Sequence, residues 1–110
     1  MWDIAYLPEA LRELKALDGS QRMIVLKGIR KVAGNPLPQS EGGYGKPLGS
    51  HSKANLTELL KIKFRDSGLG VVYKLERTET QMRIIVISAR ADEEAYELAR
   101  DRVRRHEIKM

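Results

Sequence analysis

Residues 59–65 read Leu59-Leu60-Lys61-Ile62-Lys63-Phe64-Arg65. At the period of two expected of a β-strand, Leu60, Ile62 and Phe64 share one face, and Lys61, Lys63 and Arg65 share the other. Three cations spaced roughly 6.5–7 Å apart repel one another unless solvent or an anion compensates them. On spacing alone two readings stay open: a solvated outer face, or a face that holds phosphate. The second carries definite chemistry. A lysine has an unperturbed pKa of about 10.4, but crowding cations together disfavours protonation, which poises one of them to accept a proton. The others then meet negative charge developing on phosphorus.

The elements that must position these residues can be read from period and punctuation. A strand at about residues 2–6 puts Trp2, Ile4 and Tyr6 on one face. From Pro8 to Leu17 the apolar positions Leu7, Ala10, Leu11, Leu14 and Leu17 follow helical spacing, with Pro8 suited to a first turn. Asp18-Gly19-Ser20 is a turn with capping residues, and Met23, Leu26, Ile29, Val32 and Ala33 mark a second helix that Gly34-Asn35-Pro36 ends. Residues 35–55, rich in Gly, Pro, Ser and Asn, predict a loop about twenty residues long, a length often tied to function. Strands follow at Leu56–Arg65, Gly70–Arg77 and Met82–Ser88, and their short connections imply antiparallel pairing. A last helix starts near Asp92 with Glu93 and Glu94 in its first turn. Ala95, Leu98, Ala99 and Val103 form its stripe, and Arg102, Arg104, Arg105 and His106 complement the negative end of its dipole. The order β-α-α-β-β-β-α predicts an α+β fold. An N-terminal helical hairpin packs on a small, mainly antiparallel twisted sheet, and a C-terminal helix closes a single domain over residues 1–110.

Composition narrows the function. A chain of 110 residues that is 42% hydrophobic builds one core, and the absence of cysteine excludes disulfides, thiol catalysis and cysteine-ligated zinc. Twenty Lys and Arg against fifteen Asp and Glu leave a net charge of +5, which favours a polyanionic partner. Met1 to Tyr6 lacks the pattern of a secretory signal, and no apolar run approaches the roughly 20 residues that cross a bilayer. The expectation is a cytoplasmic protein with no membrane partner. Gly43-Tyr44-Gly45-Lys46-Pro47-Leu48-Gly49 has the wrong spacing for a nucleotide-binding glycine loop and is interrupted by Pro47, which leaves a flexible loop that carries a lysine. His51 and His106 are read as separate and solvated, Tyr73 as structural, and the arginines of the last helix as mostly solvated surface. No metal and no cofactor is expected.

Lys61-Ile62-Lys63-Phe64-Arg65-Asp66-Ser67-Gly68-Leu69-Gly70-Val71-Val72-Tyr73 resembles the central hairpin of RelE-type toxins of the RelE/ParE superfamily, in which a Lys-Ile-Lys strand leads through Ser-Gly into a strand ending Val-Tyr. The stretch Leu7 to Leu17 resembles the opening helix of that family. Asn35-Pro36 and Lys46-Pro47-Leu48-Gly49 resemble the segment joining helices to sheet, and Ile87-Ser88-Ala89-Arg90 with Tyr96 the strand end and last helix. The similarity runs over nearly the whole chain.

The resemblance implies a RelE-like microbial ribonuclease fold and the toxin of a type II toxin–antitoxin system. It also implies an mRNA endoribonuclease (mRNA interferase) that acts on mRNA on the ribosome and inhibits translation. In such an enzyme the ribose 2′-OH attacks the adjacent phosphate, leaving a cyclic phosphate and a 5′-hydroxyl. By the same resemblance Lys61 and Lys63 assist deprotonation and hold the phosphate, Arg90 stabilises charge or protonates the leaving oxygen, and Tyr96 positions the base by stacking. Arg65, Lys46 and Arg83 are the further candidates for binding RNA phosphate. The implied partners are mRNA on the ribosome and a cognate antitoxin that masks the basic face. One position departs from the pattern: many active relatives carry an arginine just after the Ser-Gly turn, and this chain has Gly70, preceded by Leu69. That leaves open lower activity, replacement by Arg65 or Arg83, or another target. The alternatives are a ParE-type inhibitor of DNA gyrase and a catalytically inactive nucleic-acid-binding accessory domain.

Overall fold

Among the described residues the strands and α-helices follow the order β1 (Asp3–Tyr6), α1 (Pro8–Ala16), α2 (Gly19–Ala33), β2 (Lys46–Pro47), β3 (Ser50–His51), β4 (Ala54–Asn55), β5 (Leu59–Phe64), β6 (Leu69–Glu76), β7 (Gln81–Ser88) and α3 (Asp92–Arg105), with β3 and β4 paired as a small separate hairpin. The structure, a computed structural model, describes residues 1–48, 50–51, 54–55, 59–89 and 92–108, without the side chains of 50, 51, 54, 55, 92 and 93. The expected caps at the start of α3 and the His51 side chain therefore lie outside the described residues.

The α1–α2 hairpin is closed by two local devices. The Asp18 carboxylate accepts a 2.8 Å bond from the Gln21 amide, capping α2, and that bond holds its pKa below the ordinary aspartate value. Arg22, in the first turn of α2, donates to the Leu14, Lys15 and Leu17 carbonyls at 3.2, 2.9 and 2.8 Å, satisfying the open end of α1. The core stripe falls on Ala10 and Leu14 in α1 and on Val25, Ile29, Val32 and Ala33 in α2. Leu11 and Met23, expected in the stripe, are instead 38% and 55% exposed. Each satisfies helical spacing with its neighbours but sits at the edge of the arc that meets the sheet.

The sheet has strand order β1-β7-β6-β5-β2, with β1 parallel to β7 and the other pairs antiparallel. The segment read as a loop before β5 is more ordered than that. It holds a 3-10 turn at Gln39–Glu41 and the strand β2, and the Tyr73 hydroxyl donates to the Pro36 carbonyl at 2.8 Å beneath it. Burial of that phenol raises its pKa.

One irregularity decides which side chains share a face. Val72 pairs with Val86 but Tyr73 pairs with Ile84, so Ile85 is an extra residue on β7, a β-bulge. The bulge breaks the period of two, so that Arg83, Val86 and Ser88 all point to the face that carries Lys61 and Lys63. Three cross-strand rows result on that face: Lys63–Gly70–Ser88, Lys61–Val72–Val86 and Leu59–Lys74–Arg83. The opposite face carries Phe64, whose ring lies so close to α2 that a Cβ at Gly28 would collide with it. Glycine is required there by close approach. The helical hairpin thus covers one face and α3 the other.

Among the described residues the far half of β7 has β6 on one side and no strand on the other, because β1 pairs only as far as Ile84. Its exposed edge is closed by an ion pair. Arg102 of α3 donates to Glu13 of α1 at 2.7 and 2.9 Å and to the Ile85 carbonyl at 2.9 Å, while Glu13 accepts from the Ile87 amide at 3.0 Å. Arg102 is 7% exposed, which corrects its reading as solvated surface. Among the described residues no helix is long and apolar enough to cross a membrane.

Candidate active site

The β5–β6 hairpin presents the cations. Its turn is set by Gly68, at φ +73°, and by the Ser67 and Gly68 amides, which both donate to the Phe64 carbonyl. Lys61 is half-buried, and Lys63 and Arg65 are exposed. β2 adds a fourth cation that spacing alone does not connect: Lys46 is the direct cross-strand partner of Lys61. Like charges opposite one another destabilise a sheet, so this pairing stands as a standing demand for an anion.

α3 closes the other side. The Lys61 ammonium donates to the Tyr96 hydroxyl at 2.8 Å and lies 5.5 Å from the centre of the Tyr96 ring. Together with Gly70, Val72, Ser88 and Ala95 these residues line a cleft of about 280 Å³. Among the described residues no carboxylate lies within ion-pairing distance of Lys46, Lys61 or Arg65. A neutral phenol therefore takes the place a counter-ion would occupy at Lys61.

The predicted site residues separate in space. Lys61, Lys63 and Tyr96 line one cleft with Arg65 at its end, and Lys46 borders it through Lys61. Arg83 lies two rows from Lys63 and faces carboxylate instead, 3.7 Å from Glu76, which also takes the buried Lys74 ammonium at 3.3 Å. Arg90 lies outside the described residues. The stacking expected of Tyr96 does not suit this arrangement, since the residue is 3% exposed and its hydroxyl is engaged by Lys61. Here it orients that lysine. Ser88 lines the cleft and is a residue to which sequence reasoning gave no role, while the Glu13–Arg102 pair, also unforeseen, ties α1 and α3 to β7 outside the cleft lining. Among the described residues no group of three or more His, Asp or Glu is placed to hold a metal ion.

No protein-family model matches the sequence, and no curated protein is significantly similar to it. Solved structures are. The isolated E. coli RelE toxin superposes with a TM-score of 0.68 at 21% identity, over 94% of this chain and 99% of that one. A mutant of the same toxin in the free state gives 0.73 at 22%, over 93% and 97%. The chain has the RelE toxin fold. The RelBE2 toxin–antitoxin complex of Mycobacterium tuberculosis contains a chain that matches at 0.57 and 18% identity, over 81% and 98%. The RelE fold accounts for the α+β architecture in which a helical hairpin and a C-terminal helix enclose a mixed sheet.

Proposed function

We propose that this protein is the toxin of a type II toxin–antitoxin pair and that it cleaves mRNA on the ribosome in the cytoplasm. The observation that carries the reading is the placement of Lys61 and Lys63 on one strand face, in a cleft closed by Tyr96 and bordered by Lys46. The RelE fold supports it, and structures of that fold include toxin–antitoxin complexes from E. coli and M. tuberculosis.

In this reading the scissile phosphate sits on Lys61 and Lys63. The ribose 2′-oxygen gives up its proton to one of these amines and bonds to phosphorus. The bond from phosphorus to the 5′-oxygen breaks, and that oxygen takes a proton, leaving a 2′,3′-cyclic phosphate and a 5′-hydroxyl. Arg90 would meet the charge on the phosphate oxygens or supply the second proton. Tyr96 holds Lys61 in place without itself bearing charge. Acid–base help of this kind supplies about 10²–10⁴-fold, so the ribosome's alignment of the 2′-oxygen with the phosphate must supply much of the remainder. The antitoxin would cover the basic face.

The test is brief expression of the wild type and of a Lys61→Ala/Lys63→Ala variant, with new 5′ ends on cellular mRNA mapped by primer extension. Cleavage within translated codons that disappears in the variant is the expected result. Growth arrest with intact mRNA would move the target to gyrase, and a folded protein without phenotype would leave an inactive binding domain.

A further inference from the structure

The cleft-face row nearest the β5–β6 turn holds no side chain at its centre. Lys63 on β5 and Ser88 on β7 flank Gly70 on β6, so two strand spacings, roughly 9.5 Å, separate the flanking residues across bare peptide. A Cβ at Gly70 would meet nothing nearer than the Ile62 carbonyl oxygen at 3.7 Å and the Ser88 carbonyl oxygen at 3.9 Å. Neither tight packing nor a positive φ demands glycine there. The neighbouring row supplies Val72, and α3 supplies Ala95, so the notch has apolar walls and cations at its rim. A cleft of about 280 Å³ with that character suits a flat, hydrogen-bonding ring attached to an anion.

We propose that the Gly70 notch is a nucleobase subsite: it receives the base of the nucleotide whose phosphate rests on Lys61 and Lys63, laid against the Gly70 peptide groups between Lys63 and Ser88. The inference rests on the RNA-binding part of the proposed function and not on cleavage. A phosphate alone would be satisfied by the cations and would have no use for the bare floor. A ring needs it, because any side chain at position 70 would project from the sheet into the space the ring fills. With the Tyr96 ring buried against Lys61, the notch is also where this cleft has room for a base. Ser88 then borders the edge of the ring.

The experiment is an NMR titration of the intact protein with the four ribonucleoside 3′-monophosphates and with ribose 5-phosphate, for wild type, Gly70→Ala and Gly70→Val. Burying roughly 55 Å² of the base's apolar surface at about 25 cal/mol/Å² contributes about tenfold to affinity, so at least one nucleotide should bind about tenfold more tightly than the sugar phosphate. Shifts should centre on Gly70, Val72 and Ser88. Gly70→Val, a strand-compatible change, should abolish that preference while leaving ribose 5-phosphate affinity within about twofold, and Gly70→Ala should fall between. Equal binding of nucleotide and sugar phosphate, no binding of either, or a preference untouched by Gly70→Val would each overturn the subsite. Because no bond is cleaved in the titration, a base-dependent result alongside intact cellular mRNA would keep the subsite and reject the ribonuclease reading.

Discussion

Two sets of cations lie towards the same side of the sheet and are treated differently by the fold. On α3, Arg102 is paired with Glu13, Arg105 with Glu9 and Asp101, and His106 lies 2.9 Å from Glu9. Around the cleft, Lys46 and Lys61 face each other across a strand pair, and the bond that Lys61 makes is to a phenol. A net charge of +5 describes both sets equally and distinguishes neither. What separates them is where the carboxylates are: α1 supplies them to α3, and β2, β5 and β6 supply none to Lys61. Matched cations hold elements together, and cations left facing one another await an anion.

The largest expected effect breaks the cleft set. Lys61→Ala/Lys63→Ala should lower mRNA cleavage by about 10²–10⁴-fold, the span of acid–base and charge contributions. Thermal stability should stay within about 1 kcal/mol of wild type or rise, since mutual repulsion between Lys46 and Lys61 is removed. A large loss of stability in a melt would show that the cleft lysines are structural and would erase the contrast with α3.

Arg102→Ala is the matching cut on the other side. It strands the Glu13 carboxylate and leaves the Ile85 carbonyl without its donor, so the cost should be roughly 3–5 kcal/mol, read as a fall in Tm of more than about 10 °C. At a temperature where the variant is folded, RNA affinity should change little. Arg102→Met with Glu13→Leu should recover part of the loss, because an apolar pair removes the buried charge altogether.

How much of this contrast sequence discloses depends on the range of the interaction. The face shared by Lys61, Lys63 and Arg65 is a local property of a period-two strand, and it is legible in seven residues. The three long strands and three helices follow from equally local patterns. The Glu13–Arg102 pair joins positions 89 residues apart, and nothing in either segment announces it beyond each residue's place beside a stripe position. The bulge at Ile85 hides in Ile84-Ile85-Val86-Ile87, an apolar run without internal period, yet it alone puts Arg83 and Ser88 on the cleft face. Lys46 was visible as a loop lysine, but only the pairing of two-residue β2 with β5 sets it opposite Lys61. Arg90, named from the resemblance, stays a proposal because it lies outside the described residues.

A smaller effect tests whether the rim of the cleft shares its function. If Lys46 and Arg65 each neutralise a phosphate of single-stranded RNA, replacing either with Ala should reduce the slope of log affinity against log salt by about 0.7. Arg105→Ala, which removes a cation of the same charge that is already paired with Glu9, should leave the slope unchanged. A slope that falls equally for Arg105→Ala would mean that total charge governs binding and that carboxylate placement does not.

The smallest effect lies at Glu9, on the matched side. Burial on its own would raise the carboxyl pKa, but the hydrogen bond to His106, the bond from its own amide and the charges of His106 and Arg102 outweigh it and hold the group below the ordinary glutamate value. A folded-state pKa below the unfolded one means that the contribution is complete above the ordinary carboxylate range and is lost as pH falls through the folded value. Glu9→Gln should therefore cost at most about 1 kcal/mol at neutral pH, as half-exposed pairs do. The wild type and the variant should converge in Tm as the pH is lowered below about 4.5, where the carboxylate takes up its proton. Convergence at low pH with separation at neutral pH would place Glu9 with Glu13 as a tie between α1 and α3, the weaker of the two because its partners Arg105 and His106 remain in contact with water. No difference at any pH would mean that Glu9 acts through packing of its methylenes, which glutamine keeps, and not through charge, and the matched set would then rest on Arg102 alone.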